Sequence, residues 1–291
     1  MISMTVTNNH KESLELVLRE PEKTGFLINS IDGLGEPDSK PSINTIGLTD
    51  YSRLNNARLE PREIDIQLLF IGDDIEANRL TAYKYFPTNT MVTLRFKTDY
   101  RDAVCTGIVT KHDPIIFSKE CGCDISIKCP DPYFYSTDKF DAIFSSVEPL
   151  FHFPFSDSEE NEIQFGVLRI SKNKSIYYTG EKEASIIMDL RMNGTVENLV
   201  LYNVSYSQQM AIDMSFIEGD QVIISTGISK KSAYLIRDGI RTNILKYIVF
   251  RPGYDDWIKL YQGDNEITYT ASTGDNDVIL NITYQKVYKG V

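Results

Sequence analysis

Three cysteines lie close together in the sequence, at Cys121, Cys123 and Cys129, and thiolates are ligands that zinc prefers in structural sites. Their spacing is not that of a zinc-binding Cys-x-x-Cys pair. In an extended strand alternate side chains point to the same face, so all three would share one face with Ile125 and Ile127. Because cysteine is among the residues most often buried, we interpret these thiols as part of a core and predict no metal site.

Catalytic chemistry has few candidate residues in this chain. Nucleophilic catalysis requires a nucleophile, a base and an orienting group, but the only histidines, His10, His112 and His152, lie in no signature around a serine or cysteine. A phosphate-binding loop is absent, and Gly33 and Gly35 are only a fragment of a dinucleotide fingerprint. Paired carboxylates can hydrolyse glycosides, but the 41 acidic residues indicate no specific pair. We therefore predict no enzymatic activity and no cofactor.

Several loops rich in Asp and Asn in the second half could hold calcium. They are residues 255–256, 264–265 and 275–277. Their spacing matches no calcium-binding loop, and Asp and Asn are ordinary turn residues. We interpret these segments as turns and predict no metal ligands there.

Aromatic residues suggest a second kind of site. Tyr254, Trp257, the only tryptophan, and Tyr261 could form a platform on which a sugar ring stacks. The simpler interpretation is that they fill a core or an interface, because aromatic residues among strand-forming residues pack more often than they contact ligands. We favour packing, and we keep contact with a carbohydrate or a partner protein as the alternative for these three residues.

The elements that would position such residues are almost all strands. Residues 62–70 alternate strictly, with Ile64, Ile66, Leu68 and Phe70 on one face. One convincing helix follows over residues 75–86, with Asp73 as its cap and Glu76 as the partner in a capping box. Leu80, Tyr83 and Phe86 can share one of its faces. A chain with one helix leaves almost no room for a nucleotide-binding or barrel enzyme.

The remaining patterns indicate two domains. Alternating strands continue to the prolines at 130 and 132, which cannot donate to a ladder and mark a domain edge. Residues 39–56 are polar and mixed, and we expect a long excursion there. From about residue 140 short strands alternate with turn signals and show no helical period, as in a sandwich or jelly roll. We predict an N-terminal β domain with one helix over residues 1–138 and a β-sandwich over residues 139–291.

Charge and hydropathy exclude other classes of function. The net charge is -11, both halves are acidic, and no basic stripe with interleaved aromatics is present. Such a chain is a poor partner for nucleic acid and for anionic membranes. The first twelve residues are polar and unlike a signal peptide, and no apolar stretch reaches the length of a membrane span. We expect a chain made in the cytoplasm.

The ordered series of motifs resembles a known family. The matching segments are residues 31–37, with a glycine-proline turn; 62–66, an Arg-led strand; 79–86, the helix; 125–134, a strand ending in Asp-Pro-Tyr-Phe; and 243–247, 257–260, 263–269 and 288–291 near the end. Together they resemble the distal tail proteins of long-tailed phages, and related prophages, that infect Gram-positive bacteria. The resemblance covers nearly the whole chain.

This resemblance implies a fold and a function. The first domain is expected to be a split β-barrel with its helix, and the second a galectin-like sandwich. Six copies are expected to form a homohexameric ring that joins the tail tube protein to tail-tip and receptor-binding proteins, in a virion assembled in the host cytoplasm. The alternative function is adsorption to cell-wall polysaccharide through the C-terminal sandwich. A hydrolase of cell-wall polymer is a third and less favoured hypothesis.

Overall fold

The structure, a computed structural model, describes residues 2–46, 50–116, 118–149, 166–228, 230–250 and 257–291. It divides into two compact units. One unit comprises Met1–Thr137 together with Val287–Val291, and the other comprises Asp138–Lys286. The second predicted domain included residues 287–291, which the structure places with the first unit.

The described residues of the first unit form ten strands and one α-helix before the chain enters the second unit. They are β1 (Ser3–Thr7), β2 (Ser13–Val17), β3 (Phe26–Asp32), β4 (Ser39–Thr45), β5 (Ser52–Leu59), β6 (Arg62–Phe70), α1 (Ile75–Tyr85), β7 (Met91–Lys97), β8 (Asp102–Ile115), β9 (Gly122–Cys129) and β10 (Phe134–Ser136). Their main sheet has the antiparallel order β2-β1-β7-β8-β9-β6-β3.

The core of this unit follows the predicted alternation. Ile64, Ile66, Leu68 and Phe70 of β6 are buried, as are Val92, Leu94 and Phe96 of β7. The cysteine-containing strand also behaves as predicted, because Cys123, Ile125, Ile127 and Cys129 are buried on one face, while Cys121 before the strand is half-buried. All four cysteines are free thiols.

The helix forms where expected, but its ends and buried face differ from the prediction. The cap is Asp74 rather than Asp73, and its Oδ1 accepts a hydrogen bond from the Ala77 amide at 2.9 Å. Leu80 is 57% exposed, whereas Ala82 is fully buried. Of the three residues predicted to share a face, Leu80 and Tyr83 are exposed and Phe86 is buried. The partly buried Ile75 and Tyr85 pack against the core beside Ala82. Within the described residues, this helix is far too short and polar to cross a membrane.

The expected excursion over residues 39–56 is instead a regular hairpin. Strands β4 and β5 pair with each other in a separate two-stranded sheet, and every residue in both strands is exposed. The sequence prediction missed it because no core residue sets an obvious alternation between buried and exposed positions.

The second unit contains strands only, apart from short 3₁₀ turns, within its described residues. They are β11 (Phe140–Ile143), β12 (Ser145–Pro149), β13 (Gly166–Ile170), β14 (Asn173–Tyr178), β15 (Ala184–Met192), β16 (Val196–Asn203), β17 (Gln208–Phe216), β18 (Gln221–Ser225), β19 (Ser232–Arg237), β20 (Ile240–Asn243), β21 (Ile248–Val249), β22 (Lys259–Leu260), β23 (Gly263–Thr270) and β24 (Val278–Tyr284).

Two antiparallel sheets make up most of this unit. One has the order β11-β24-β15-β18-β19-β20, and the other has the order β14-β23-β16-β17-β21. Alternate residues of β15 and β24 are buried between the sheets, and Tyr284 at the end of β24 is half-buried. The buried residues are Ala184, Ile186, Met188, Leu190, Val278, Leu280 and Ile282. The mainly β class with one helix, predicted from the sequence, is confirmed.

The last strand returns the chain to the first unit. β25 (Val287–Tyr288) pairs with β10, which in turn pairs with β8. The Val291 amide also donates to the Leu34 carbonyl at 3.0 Å. The end of the chain is therefore held by main-chain hydrogen bonds to segments far away in sequence.

Candidate functional site

The structure places Trp257 in the interior of the second unit. The residue is 8% exposed, its ring centroid lies 5.6 Å from that of Phe250, and the Lys231 ammonium lies 5.5 Å from its ring centroid. Gln208 Nε2 also donates to the Trp257 carbonyl at 3.4 Å. Little of the indole is left for a sugar to stack on. Tyr254, the second member of the predicted platform, lies outside the described residues.

Tyr261 is connected to the same interior through Gln208. Its ring stacks on Tyr206 with centroids 4.4 Å apart, and Gln208 Nε2 lies 3.4 Å from its hydroxyl. The Tyr206 hydroxyl donates to the Gln262 carbonyl at 3.0 Å. The structure thus brings Trp257 and Tyr261 together around one buried amide, but as parts of a packed cluster. Carbohydrate or partner contact at these residues stays a prediction.

A buried asparagine organises the turn beside this cluster. Asn265 is fully buried, and its Oδ1 accepts from the Tyr261 amide at 2.9 Å and from Asn203 Nδ2 at 3.1 Å. Its Nδ2 donates to the carbonyls of Tyr261 and Gly263, at 2.7 and 3.0 Å. Buried polar groups need such partners, so this side chain fixes the turn. The sequence analysis had interpreted Asn265 only as a turn residue, because nothing local indicates that it is buried.

Metal and acid-base chemistry find little support in the described residues. No group of three or more His, Cys, Asp or Glu side chains there could hold a metal ion. Asp275 of the third Asp/Asn-rich loop pairs with Lys172 at 2.5 Å.

His112 Nδ1 lies 2.9 Å from the Phe86 carbonyl, and burial lowers the pKa of this imidazole. Burial raises the pKa of the Cys123 thiol to about 12, which makes it a poor nucleophile. His152 and residues 255–256 lie outside the described residues.

A polar site in the first unit surrounds Arg62, the first residue of β6. Its Nε donates to the Pro132 carbonyl at 2.8 Å, and its Nη2 donates to the Lys289 carbonyl at 2.6 Å. Its Nη1 donates to the carbonyls of Gly33 and Gly35, the latter at 2.7 Å. We call this arrangement the Arg62 clasp, because one side chain joins three segments that are distant in sequence.

The guanidinium of the clasp is buried, and the carbonyl oxygens that accept its hydrogen bonds stabilise its positive charge. Arg62 is 3% exposed, and its guanidinium carbon lies 4.3 Å from the centroid of the Phe134 ring. Burial lowers the pKa of this guanidinium, although arginine stays charged. The planar fork suits several acceptors in fixed positions, which a lysine could not match. A second arginine, Arg101, donates to the Gly290 carbonyl and lies over the ring of Tyr288.

Close backbone packing explains the glycine of the early turn. Gly33 has a φ of +84°, a conformation that favours glycine. A Cβ added there would lie 1.9 Å from the Glu63 carbonyl oxygen, next to the start of β6. The turn, the Arg-led strand, the Asp-Pro-Tyr-Phe segment and the last residues therefore meet at one place. These are four of the segments on which the resemblance rested.

Residues 179–288 match the family of siphovirus-type tail components, C-terminal domain. In this region the chain is similar to the distal tail proteins that the sequence motifs resemble. The predicted resemblance is confirmed by this match in the second unit, together with a fold shared by almost the whole chain. No curated protein matches the chain in sequence.

Two solved structures share the fold. The SPP1 Dit (gp 19.1) protein, called a paradigm of the hub adsorption apparatus in phages that infect Gram-positive bacteria, is similar with a TM-score of 0.66 and 12% identity, over 98% of each chain. A chain of the phage P2 baseplate in its activated, calcium-containing conformation has a TM-score of 0.52 and 8% identity, over 100% of each chain. At these identities the likeness concerns the fold alone.

Proposed function

We propose that the chain is a structural hub at the tip of a phage tail. Six copies form a ring, and the ring joins the tail tube to tip and receptor-binding proteins. The observation that carries this proposal is the shared fold with SPP1 Dit over 98% of both chains, together with the family match of the second unit. The protein acts as part of a virion, is assembled in the host cytoplasm and has no enzymatic activity.

The main sheet of the first unit supports ring formation. In the described pairings β2 pairs only with β1, and β3 pairs only with β6, so the sheet ends in two open edges. An open edge exposes unpaired main-chain groups that can pair with another chain. A ring needs a heterologous contact between two different surfaces, repeated by rotation. Opposite edges of one sheet offer such a pair of surfaces.

Electron microscopy and native mass spectrometry of the purified chain test this proposal. We expect ring-shaped particles with six-fold symmetry and a mass of six chains. Because a ring can require the tail as a template, the same measurement is made with the tail tube protein added. A closed particle of another symmetry under both conditions would contradict the proposed hexamer. Immunogold labelling of virions, expected at the tail tip, tests the location separately.

Carbohydrate binding remains the alternative function, and no described contact favours it. It is tested by titrating purified wall polysaccharide into the wild-type chain and into Trp257→Phe and Tyr254→Ala variants. Tyr177→Ala is the matched control, because Tyr177 lies in the same unit and is 68% exposed. Binding that is lost in the first two variants but kept in the control would support the alternative. No binding by any folded chain would exclude it for that polysaccharide.

The absence of hydrolase activity needs its own measurement. A zymogram on purified cell wall should show no clearing at the position of this chain. Clearing that persists after a second purification step would contradict the proposal of a purely structural protein.

A further inference from the structure

The connection between β15 and β16 contains a reactive pair of residues. Asn193 is followed directly by Gly194, and this is the only Asn-Gly pair in the sequence. The pair lies between Met192, the last residue of β15, and Val196, the first residue of β16, and Asn193 is exposed. Asn and Gly are common in turns for conformational reasons. Side by side they also allow a reaction between the asparagine side chain and the main chain.

The packing around this connection favours glycine after Asn193. A Cβ added to Gly194 would lie 2.8 Å from Asp277 Oδ2 and 2.9 Å from its Cγ. Main-chain hydrogen bonds hold Asp277 beside the pair, because its carbonyl accepts from the Asn193 amide at 2.7 Å and its amide donates to the Gly274 carbonyl at 3.0 Å. A larger residue at 194 would have to displace the Asp277 carboxylate. The fold therefore keeps the Asn-Gly pair together.

The residue before the pair is held, whereas the two reacting groups are not. The Met192 amide donates to the Asp220 carbonyl at 2.9 Å, and the Met192 carbonyl accepts from the Gly219 amide at 2.9 Å. In the part of the chain that the structure describes, no hydrogen bond holds the Asn193 side chain or the Gly194 amide nitrogen. Because glycine has no Cβ, its nitrogen can approach the side-chain carbonyl carbon of Asn193 without a steric obstacle.

We propose that Asn193 is a site of spontaneous covalent modification, at which its side-chain amide becomes a carboxylate. The Gly194 nitrogen loses its proton to hydroxide and forms a bond to Asn193 Cγ. The bond from Cγ to Nδ2 breaks, and Nδ2 leaves as ammonia after taking a proton from water. Water then opens the resulting cyclic imide at either carbonyl and gives aspartate or isoaspartate. Overall water is consumed and ammonia is released, with no oxidation or reduction.

Both products change the surroundings of Asp277. Each adds a negative charge next to its carboxylate, and neighbouring like charges are destabilising. Isoaspartate also lengthens the main chain between the Asn193 amide, which is bonded to Asp277, and Gly194. The paired ends of β15 and β24, at Met192 and Val278, lie directly beside this point. The modification should therefore weaken the second unit at this end of the sheet.

Ageing of the purified full-length chain tests the proposal. The chain is incubated at neutral and mildly alkaline pH, and its peptides are then analysed by mass spectrometry, with aspartate and isoaspartate separated by chromatography. Asn276 is the internal control, because it is exposed and lies beside the same Asp277 but is followed by aspartate instead of glycine. We expect the converted fraction at Asn193 to exceed that at Asn276 by about tenfold or more. Conversion should be faster at the higher pH, because more of the nitrogen is deprotonated.

Variants test the chemistry of the pair. Asn193→Gln keeps an amide but requires a larger ring, so conversion should fall by about tenfold or more. Gly194→Ala is made in an Asp277→Ala background, which removes the contact with the carboxylate, and is compared with Asp277→Ala alone. The added methyl group should slow conversion by a similar factor. Thermal unfolding shows that each variant is folded, and Asn193→Asp should unfold at a lower temperature than Asn193→Gln.

A comparison of folded and unfolded chains decides whether the fold permits the reaction. The wild-type chain is aged in parallel in buffer and in urea. Conversion at Asn193 in both samples supports the proposal. An amide that persists in the folded chain, while the unfolded chain loses it, overturns the proposal, because the fold would then protect Asn193. Equal conversion at Asn193 and Asn276, or unchanged conversion after Gly194→Ala, overturns it as well. These outcomes are independent of the proposed hub, because the reaction requires only the folded chain.

Discussion

The Nη2 atom of Arg62 donates a hydrogen bond to the carbonyl of Lys289, 2.6 Å away and 227 residues later in the chain. This bond holds the end of the chain against Arg62, the residue that begins the Arg-led strand of the family resemblance. The same guanidinium also holds the early glycine turn and the segment at Pro132. One buried side chain therefore joins the early turn, the segment at Pro132 and the last residues of the chain within the first unit.

Replacing Arg62 should destabilise the first unit. Arg62→Ala removes a buried guanidinium and leaves four carbonyls without their donor, and we expect a loss of about 3 kcal/mol or more in the free energy of unfolding. Arg62→Lys should recover only part of this loss, because an ammonium cannot reach acceptors on several sides. Urea unfolding measures the loss, and hydrogen exchange should show faster exchange of the amides in residues 287–291. Arg19→Ala, at an exposed position, should change stability by less than about 0.5 kcal/mol. Equal effects at both arginines would contradict the role of the clasp.

Gly33 and Gly35 should respond differently to the same substitution. Gly33→Ala places a methyl group against the Glu63 carbonyl in a conformation with positive φ, so we expect a loss of about 2 kcal/mol or more. A Cβ at Gly35 would meet no atom within 4 Å, so Gly35→Ala should cost less than about 0.5 kcal/mol. Thermal unfolding compares the two variants. Similar midpoints of thermal unfolding for both variants would contradict this prediction, because the turn at Gly33 would then accommodate the added methyl group without a loss of stability.

Asn265 should matter more to the second unit than a typical turn asparagine. Asn265→Ala removes an acceptor for the Tyr261 amide and a donor to two carbonyls in the interior, so we expect a loss of about 2 to 3 kcal/mol. Asn276→Ala, at an exposed turn position, should have an effect below about 0.5 kcal/mol. The two variants are compared by urea unfolding, which is monitored through the fluorescence of Trp257. An Asn265 variant as stable as the control would show that water replaces the side chain.

Asp102 should give the first unit a specific dependence on pH. Hydrogen bonds from Arg95, with a further one from Thr137, lower the pKa of this carboxyl from 3.8 to about 2. A lowered pKa in the folded state means that the stabilisation is present above the unfolded pKa and is lost as the pH falls from about 4 towards 2. Because the pair is partly exposed, Asp102→Asn should cost only about 1 kcal/mol at neutral pH.

This difference between Asp102→Asn and the wild type should shrink as the pH approaches 2. Asp113→Asn serves as the control, because Asp113 lies in an exposed pair with Lys111. The free energy of unfolding is measured by urea titration at each pH. A difference that stays constant down to pH 2 would show that the bond with Arg95 does not set this pKa.

The family resemblance depended on the order of local motifs, and the structure shows why weak motifs were informative together. Each segment alone looked like an ordinary turn or strand, but the turn at Gly33, the strand from Arg62 and the last residues contact one another. Sequence reading could not join them, because the acceptors are main-chain carbonyls, which every residue has whatever its type. The burial of Asn265 was missed for a related reason, since asparagine is typical of exposed turns.

The sequence by itself determined which residues alternate into strands, where the single helix forms, and that the cysteines belong to a core. These features follow from local periodicity, because side chains alternate along a strand and only one register buries Ile64, Ile66 and Leu68. Tertiary structure alone decided that Leu80 stays exposed, that residues 39–59 project as an amphipathic hairpin, and that the chain end returns to Arg62. Those outcomes depend on which segments meet in space, and that is set by the packing of the whole unit rather than by any one stretch of sequence.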